Sequence, residues 1–559
     1  MQSDRASLTN AHPDGAPGSG GGSGSRAAEL IARGALLIAV LTALSRLLGL
    51  VRTVVFAQSV GAGCLGTAYV TANTVPNLIY ELALGGALAS AMVPVLARAA
   101  SRADKDEGQK AYVTQVASAL LTWAVLILLP VTAAIALLAR PIADLLIPAN
   151  PNATCARPAM LGTTTDFIVA FAPQIMLYGV SVVLTGLLQA YRRFTGPTLA
   201  PVLGNVVTIT SYLLFAALDN NLPMARTPLV AQLVLSIGTT MNIGMLVLVA
   251  LPPTWRLKLR LRPTLRFPPG VIGKAGGLAL VGLLEFAAGD VQSVVTIALA
   301  NGRGETGALV LVNYSSMVFA SVCSVLPIAI VTSVFPVLSA TDGADFDRTS
   351  AGSTRAVMLM SWLGTAVIAA VAVPAAHVLA RQPDQVTELT QAFLLYAPGV
   401  AGFALITAMS RVMFALGRLR AAGIGLVAGP LLQIAVSIPL ALLAPPRLVV
   451  AAVALGSTVA LLAVAAPMAF AVRRVRGTAA IAGLGHATLA GLVAGGIGSG
   501  VGVGVTLALP AGGKLFEAGV GAVAAVLAVL AFGVWAYALD RGDLRMVAAR
   551  LRRFTRSRA

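Results

Sequence analysis

Charge is scarce in this chain. Only 11% of its 559 residues are Asp, Glu, Lys or Arg, against about 25% in an ordinary soluble domain. A water-soluble chain of this length would form two or more domains, each needing a charged surface that this sequence cannot supply. Lipid tolerates such a composition, because a helix facing acyl chains needs no polar face. Cysteine is nearly absent. Cys64, Cys155 and Cys323 are too few and too scattered for a disulfide framework or a zinc site, and all three read as structural. His377 and His486 belong to no motif and read as structural or interfacial. Enzyme signatures are missing too. Without a Walker-type phosphate loop nothing here hydrolyses ATP, and there is no His-Glu-x-x-His and no Gly-x-Ser-x-Gly in a strand–turn–helix setting. The chain reads as no enzyme and as needing no cofactor.

What is present is hydrophobicity, at 57% of residues. Apolar segments fall near 34–60, 65–97, 111–139, 162–190, 197–218, 229–251, 271–300, 306–339, 356–380, 391–416, 421–444, 447–471, 479–509 and 515–539. About 20 residues of helix cross a hydrocarbon core, so the expected fold is all-α and polytopic, with about fourteen transmembrane helices. The second and eighth segments exceed one simple crossing, and Pro76, Gly85-Gly86 and Pro327 are their candidate bend points. The Gly/Ser-rich start, residues 1–28, reads as a disordered tail.

Lys and Arg alternate between loops. With the N-terminus inside, 29 of the 39 fall on the cytoplasmic side, 7 on the other and 3 within segments. This bias predicts both termini in the cytoplasm. It also removes nucleic acid as the reason for the net charge of +18. Weak internal matches divide the chain further. Pro94-Val95-Leu96-Ala97 pairs with Pro336-Val337-Leu338-Ser339, and Leu188 to Arg193 pairs with Phe414 to Arg420, each six helices apart. The expected organisation is a six-helix half over 29–252, a basic linker over 253–275, a second half over 276–476, helices thirteen and fourteen over 477–540, and a basic tail over 541–559. Two-half transporters place the substrate path between the repeats.

Six charges sit inside apolar segments: Arg46, Arg52, Glu81, Glu285, Asp290 and Arg411. Each costs about 2.5–3.5 kcal/mol near the bilayer centre, so such groups usually face a bundle interior or aqueous cavity. Arg46 falls near the midplane, and Arg52 about 9 Å farther toward the outer face. Ser45, Gly49 and Arg52 lie close to one stripe. Two guanidiniums at staggered depths suit an elongated anion such as a diphosphate, because their planar donor forks match phosphate oxygens. The alternatives are pairing with Glu81, Glu285 or Asp290, and snorkelling for Arg52. Glu285 and Asp290 read either as a coupling site for sodium or a proton, or as partners for an arginine. Arg411 reads as packing or snorkelling. Asn77 follows Pro76, which frees a backbone carbonyl; it either satisfies that local defect or contacts a ligand.

The run Ser45-Arg46-Leu47-Leu48-Gly49-Leu50-Val51-Arg52 continues through Gly61-Ala62-Gly63, Ala72-Asn73-Thr74-Val75-Pro76-Asn77-Leu78 and Val93-Pro94-Val95-Leu96. It resembles the opening of the MurJ (MviN) lipid II flippase family, in the multidrug/oligosaccharidyl-lipid/polysaccharide exporter superfamily. Ala190 to Pro201 and Arg411 to Gly417 are similar to that family as well. The likeness covers most of the chain and thins after about residue 430.

The resemblance implies a V-shaped bundle with a central cationic cavity and a lipid-tail groove formed by helices thirteen and fourteen. It implies a bacterial plasma-membrane flippase that carries an undecaprenyl-diphosphate-linked peptidoglycan precursor outward by alternating access, with cell-wall synthesis proteins as candidate partners. Arg46, Arg52 and Asn77 would contact the substrate, and Ser45, Gly49, Glu81 and Ser316 are further cavity candidates. Departures stand beside these matches. Ile79, Tyr80 and Glu81 replace a basic pair found in many relatives, Tyr314-Ser315-Ser316 occupies the place of an Asp-Arg, and an Asp expected near Thr67 is absent. Asp290 matches a seventh-helix acid of a sodium site, but the eleventh segment offers only Gln433 as its partner. Two rival functions remain: export of another lipid-linked glycan or of small molecules, and a non-transporting scaffold for wall synthesis.

Overall fold

The computed structural model describes residues 21–82, 106–219, 222–267, 276–325, 327–510 and 512–539. Gly85-Gly86, Pro94 to Ala97 and the tail 541–559 lie outside the described residues. All regular structure among the described residues is helical. The first half holds α1 (Gly21–Ser59), α2 (Cys64–Tyr80), α3 (Glu107–Leu137), α4 (Ala139–Leu146), α5 (Arg157–Phe171), α6 (Pro173–Ala190), α7 (Thr195–Asp219) and α8 (Leu229–Trp255). The second holds α9 (Gly276–Arg303), α10 (Ala308–Val325), α11 (Pro327–Ala340), α12 (Gly343–Leu379), α13 (Pro383–Tyr396), α14 (Gly399–Ala415), α15 (Leu419–Leu443) and α16 (Val449–Arg476). Two helices follow, α17 (Leu484–Ala508) and α18 (Lys514–Leu539).

Thirteen helices among the described residues are long and apolar enough to cross a membrane. The second expected crossing begins as the 17-residue α2, and most of its remainder falls in 83–105, outside the described residues. Three crossings are each built from two helices, α5–α6, α10–α11 and α13–α14. Pro173, Pro327 and Pro398 stand at those breaks, where a proline cannot give an N–H to the preceding turn. Pro76 behaves differently: α2 runs through it unbroken. One boundary shifts. α1 starts at Gly21, inside the 1–28 segment assigned to a tail, because Arg26-Ala27-Ala28-Glu29-Leu30 are good helix formers continuous with the apolar run.

The internal repeat is visible in how α6 and α14 end. Arg193 N–H donates to Leu188 O at 2.8 Å, and Arg418 N–H donates to Met413 O at 2.9 Å. The residue before each donor, Arg192 or Gly417, has positive φ, at 57° and 69°. Both are six-to-one C-caps of the Schellman type. Beyond the repeat, α17 packs on α12 and α18 through a glycine seam. Gly491 and Gly495 face Trp362, Gly498 faces Ala366 and Ala528, and Gly502 faces Ala370. The four-, three- and four-residue spacing keeps them on one stripe, where small residues let helices approach closely.

The hydrogen bonds joining the two halves cluster at the end with few cations. Asn301 Nδ2 donates to Thr71 Oγ1 at 3.1 Å and to Leu146 O at 2.9 Å. Asn150 Nδ2 donates to Asn301 O and Gly304 O, both at 2.8 Å. Gln385 Nε2 reaches Ala62 O at 2.9 Å, Gln58 Nε2 reaches Val378 O at 2.6 Å, and Arg381 donates to Gln58 O. Gly307 presses against this seal with φ of +95°, and a Cβ there would overlap Ala62 O. One expectation is corrected here: Cys64 and Cys155 form a disulfide with Cα atoms 5.9 Å apart. Their 91-residue separation hid the pairing, which exists because α2 and the loop before α5 meet at this seal. Cys323 is free and buried.

Candidate functional site

Behind the seal lies a cavity of about 260 Å³. Arg52, Thr53 and Phe56 enter it from α1; Tyr69, Asn73, Thr74 and Asn77 from α2; Gln174 and Tyr178 from α6. Thr208 and Tyr212 come from α7, Thr239 and Asn242 from α8, and Asn313, Tyr314 and Met317 from α10. Its closed side is aromatic. Phe56, one turn beyond Arg52, lies 5.2 Å from both the Tyr69 and Tyr212 rings and 6.3 Å from Tyr314, centroid to centroid. Tyr69 OH bonds Tyr212 OH at 2.9 Å and Thr239 Oγ1 at 2.7 Å, which ties α2, α7 and α8 together.

Arg52 is the one charged residue in this lining. It is half-buried, and among the described residues neither it nor Arg46 makes an ion pair. Around it stand amides, hydroxyls and rings, with Val70, Ile243 and Met317 as the apolar remainder; the polar set is the equipment for an anion joined to sugar-like groups. Asn77 is engaged within the wall. Its Nδ2 donates to Asn73 O at 2.9 Å and its Oδ1 accepts from Tyr178 OH at 2.8 Å. Asn73 O is not the carbonyl that Pro76 frees, which is that of Ala72, and one Asn77 amide hydrogen is left for a ligand.

The other candidates lie outside this lining. Arg46 is exposed. It shares a stripe with Thr53, seven residues or about 10 Å along α1, and therefore stands below the cavity on its approach. Gly49, between them, faces open space. Ser45 turns to α7, where its carbonyl accepts from Asn205 Nδ2 at 3.2 Å. Glu81 is exposed just past the end of α2, and Ser316 donates to Asn313 O at 3.1 Å. Asp290 is 9% exposed, and both its oxygens are buried without a hydrogen-bond partner among the described residues. Glu81 lies within electrostatic reach of it from the other half. Glu285 is within reach of Arg411, whose guanidinium stacks 5.4 Å from the Phe335 ring and 6.0 Å from Phe414. Arg411 is a packed residue.

A second, apolar groove of about 240 Å³ runs beside the cavity. Leu50 and Val54 of α1, Val318 of α10, Val371 and Val378 of α12, and Ala518 of α18 line it. Thr53 and Met317 border both spaces, with Thr53 Oγ1 2.8 Å from Met317 Sδ. A polar chamber with one cation and an apolar trough share a single wall.

The family model described as lipid II flippase MurJ matches residues 56–501 of the chain. The chain belongs to this family. A lipid II flippase MurJ of Burkholderia cenocepacia is 25% identical over 318 residues, covering 55% of this chain and 57% of its own, so that match spans little more than half of the relative. A probable lipid II flippase MurJ of Rhizobium meliloti is 25% identical over 438 residues, 74% of this chain and 76% of its own. In structure, a lipid II flippase MurJ in an inward closed conformation superposes with a TM-score of 0.67 at 16% identity, covering 90% of this chain and 99% of its own. An inward-facing multidrug resistance MATE transporter gives a TM-score of 0.55 at 14% identity, over 78% of this chain and 95% of its own. Family membership makes the chain a multi-pass membrane protein, in keeping with the thirteen candidate crossings among its described residues.

Sequence reasoning reached Arg52 through its charge and Asn77 through the neighbouring Pro76, but did not single out the remaining lining. The signal was available in Asn73, Asn242 and Asn313, three amides inside apolar runs, where each needs a partner or a ligand.

Proposed function

We propose that this protein moves a polyprenyl-diphosphate-linked peptidoglycan precursor, lipid II, from the inner to the outer leaflet of the bacterial plasma membrane. The observation that carries this reading is Arg52, without an ion-pair partner among the described residues, in an otherwise neutral polar chamber that shares the Thr53–Met317 wall with an apolar groove. The diphosphate would meet Arg52 after passing Arg46, the glycan would meet the amides and tyrosines, and the tail would stay in the groove. In the expected N-in, C-in orientation, the cation-rich end faces the cytoplasm. The closed seal then describes a state that receives substrate from inside, one stage of alternating access.

Asp290 is the proposed coupling group. A buried carboxylate without a partner is costly, and sodium or a proton would relieve it, with Glu81 of the opposite half in electrostatic reach. The test is complementation of a flippase-deficient strain, scored by precursor exposed at the outer leaflet. Normal exposure in a strain depleted of this protein alone would defeat the proposal.

One observation favours a second reading, export of another lipid-linked glycan. By the resemblance, Ile79-Tyr80-Glu81 replaces a basic pair and Tyr314-Ser315-Ser316 an Asp-Arg, and Arg52 is the one charged residue lining the chamber. Failure to complement, with export of a different glycan intact, would select it. A scaffold of wall synthesis would be indifferent to Arg46→Ala and Arg52→Ala.

A further inference from the structure

The linker after α8 carries a pattern that the transport path does not use. From Leu257 the sequence alternates Leu-Lys-Leu-Arg-Leu-Arg to Arg262. Leu257, Leu259 and Leu261 pack against a cluster of Val113, Val116, Ala117 and Ala124 of α3 with Val183, Leu187 and Ala190 of α6. A period of two then puts Lys258, Arg260 and Arg262 on the opposite face. Lys258 holds a left-handed backbone, φ 51°, which L side chains rarely adopt and which turns the chain from α8 onto α3. The segment is pinned there. Arg262 N–H donates to Ser118 Oγ and Thr264 N–H to Thr122 Oγ1, both at 3.1 Å, and Trp123 Nε1 donates to Leu265 O at 3.1 Å.

The three cations and Lys110 line a pocket of about 600 Å³. Its one acid, Glu107, is 3.5 Å from Lys110. Nearby Asp106 is spent on capping α3, where it accepts from Gly108 and Gln109 N–H. Lys258, Arg260 and Arg262 have no ion-pair partner among the described residues. Ser118 and Arg262 also border a second space, an apolar groove of about 550 Å³ along Leu121, Val125, Leu126 and Leu129. Val125, Leu126 and Leu129 are exposed large hydrophobics on a membrane-crossing helix. A concentrated positive pocket thus opens directly onto a lipid-facing trough.

We propose that this pocket and groove bind an anionic phospholipid, its phosphate against Lys258, Arg260 and Arg262 and an acyl chain along α3. Charge complementarity selects a phosphate-bearing group, because the one acid in the pocket among the described residues, Glu107, is paired with Lys110. The contiguous apolar trough selects a lipid over a soluble phosphate or an acidic protein loop, neither of which fills it. Basic pockets at the cation-rich end of membrane helices suit such headgroups. Occupancy would hold the linker between the halves down on α3.

The test uses the full chain purified in detergent, with native mass spectrometry of bound lipid. Phosphatidylglycerol should bind at least tenfold more tightly than phosphatidylcholine of the same chains, and millimolar inorganic phosphate should not displace it. At roughly fivefold per cation near an anionic headgroup, K258Q/R260Q/R262Q should weaken phosphatidylglycerol binding about a hundredfold. R473Q/R474Q, cations of the same end outside the pocket, should leave it unchanged. Equal binding of the two lipids by the parent chain overturns the proposal without any variant. So does displacement by free phosphate, or an equal loss in both variants.

Discussion

Arg52→Gln separates a ligand-binding arginine from a structural one, because the two roles predict opposite stability effects. Arg52 has no acidic partner among the described residues, so its removal strands no buried carboxylate. A cation inside a crossing helix costs about 2.5–3.5 kcal/mol on insertion scales, and the substitution relieves that cost. The melting temperature should therefore hold or rise. Binding should move the other way. Hydrogen bonds to a charged group are worth about 1.5–3 kcal/mol, which corresponds to roughly 10- to 150-fold in affinity. Arg52→Lys should fall between, since it keeps the charge and loses the planar fork. The assay pairs thermal unfolding with binding of a short-chain diphosphate-linked precursor to purified protein. A Gln variant that melts lower and binds as well as the parent would refute the reasoning, because Arg52 would then be holding the bundle together.

Three further predictions follow from the seal and the buried acid. Gly307→Ala places a Cβ into Ala62 O and should populate the form open at the seal, read as a longer distance between spin labels at the exposed Leu145 and Leu443; an unchanged distance would contradict the close approach. Reducing Cys64–Cys155 frees a 91-residue loop, which the chain-entropy relation values at up to about 5 kcal/mol, so reductant should lower the melting temperature of the parent and leave C64S/C155S unaffected. Asp290→Asn should abolish the dependence of transport on its coupling ion while substrate still binds at equilibrium; ion dependence equal to the parent's would remove Asp290 from coupling.

The crossings were legible because a hydrocarbon core demands about 20 apolar residues and this chain supplies them in separated runs. The repeat was legible at Arg192-Arg193 and Gly417-Arg418 because the same helix end is built twice. The disulfide was not, since Cys64 and Cys155 become neighbours only when α2 meets the loop before α5. Within the site, Arg52 stood out because charge in an apolar run is costly and therefore conspicuous. Tyr69, Tyr212 and Asn242 did not, since uncharged polar groups occur in many packed helices. Arg46 was conspicuous for the same reason, but which spaces it borders could not be read along one helix: it stays outside the cavity lining, about 10 Å from Thr53 along α1.

The most direct test of the account is complementation of a flippase-deficient strain by the parent chain and by an Arg46→Ala/Arg52→Ala variant expressed to the same level. The account predicts growth and outer-leaflet precursor with the parent, and neither with the variant. Equal rescue by both would contradict it.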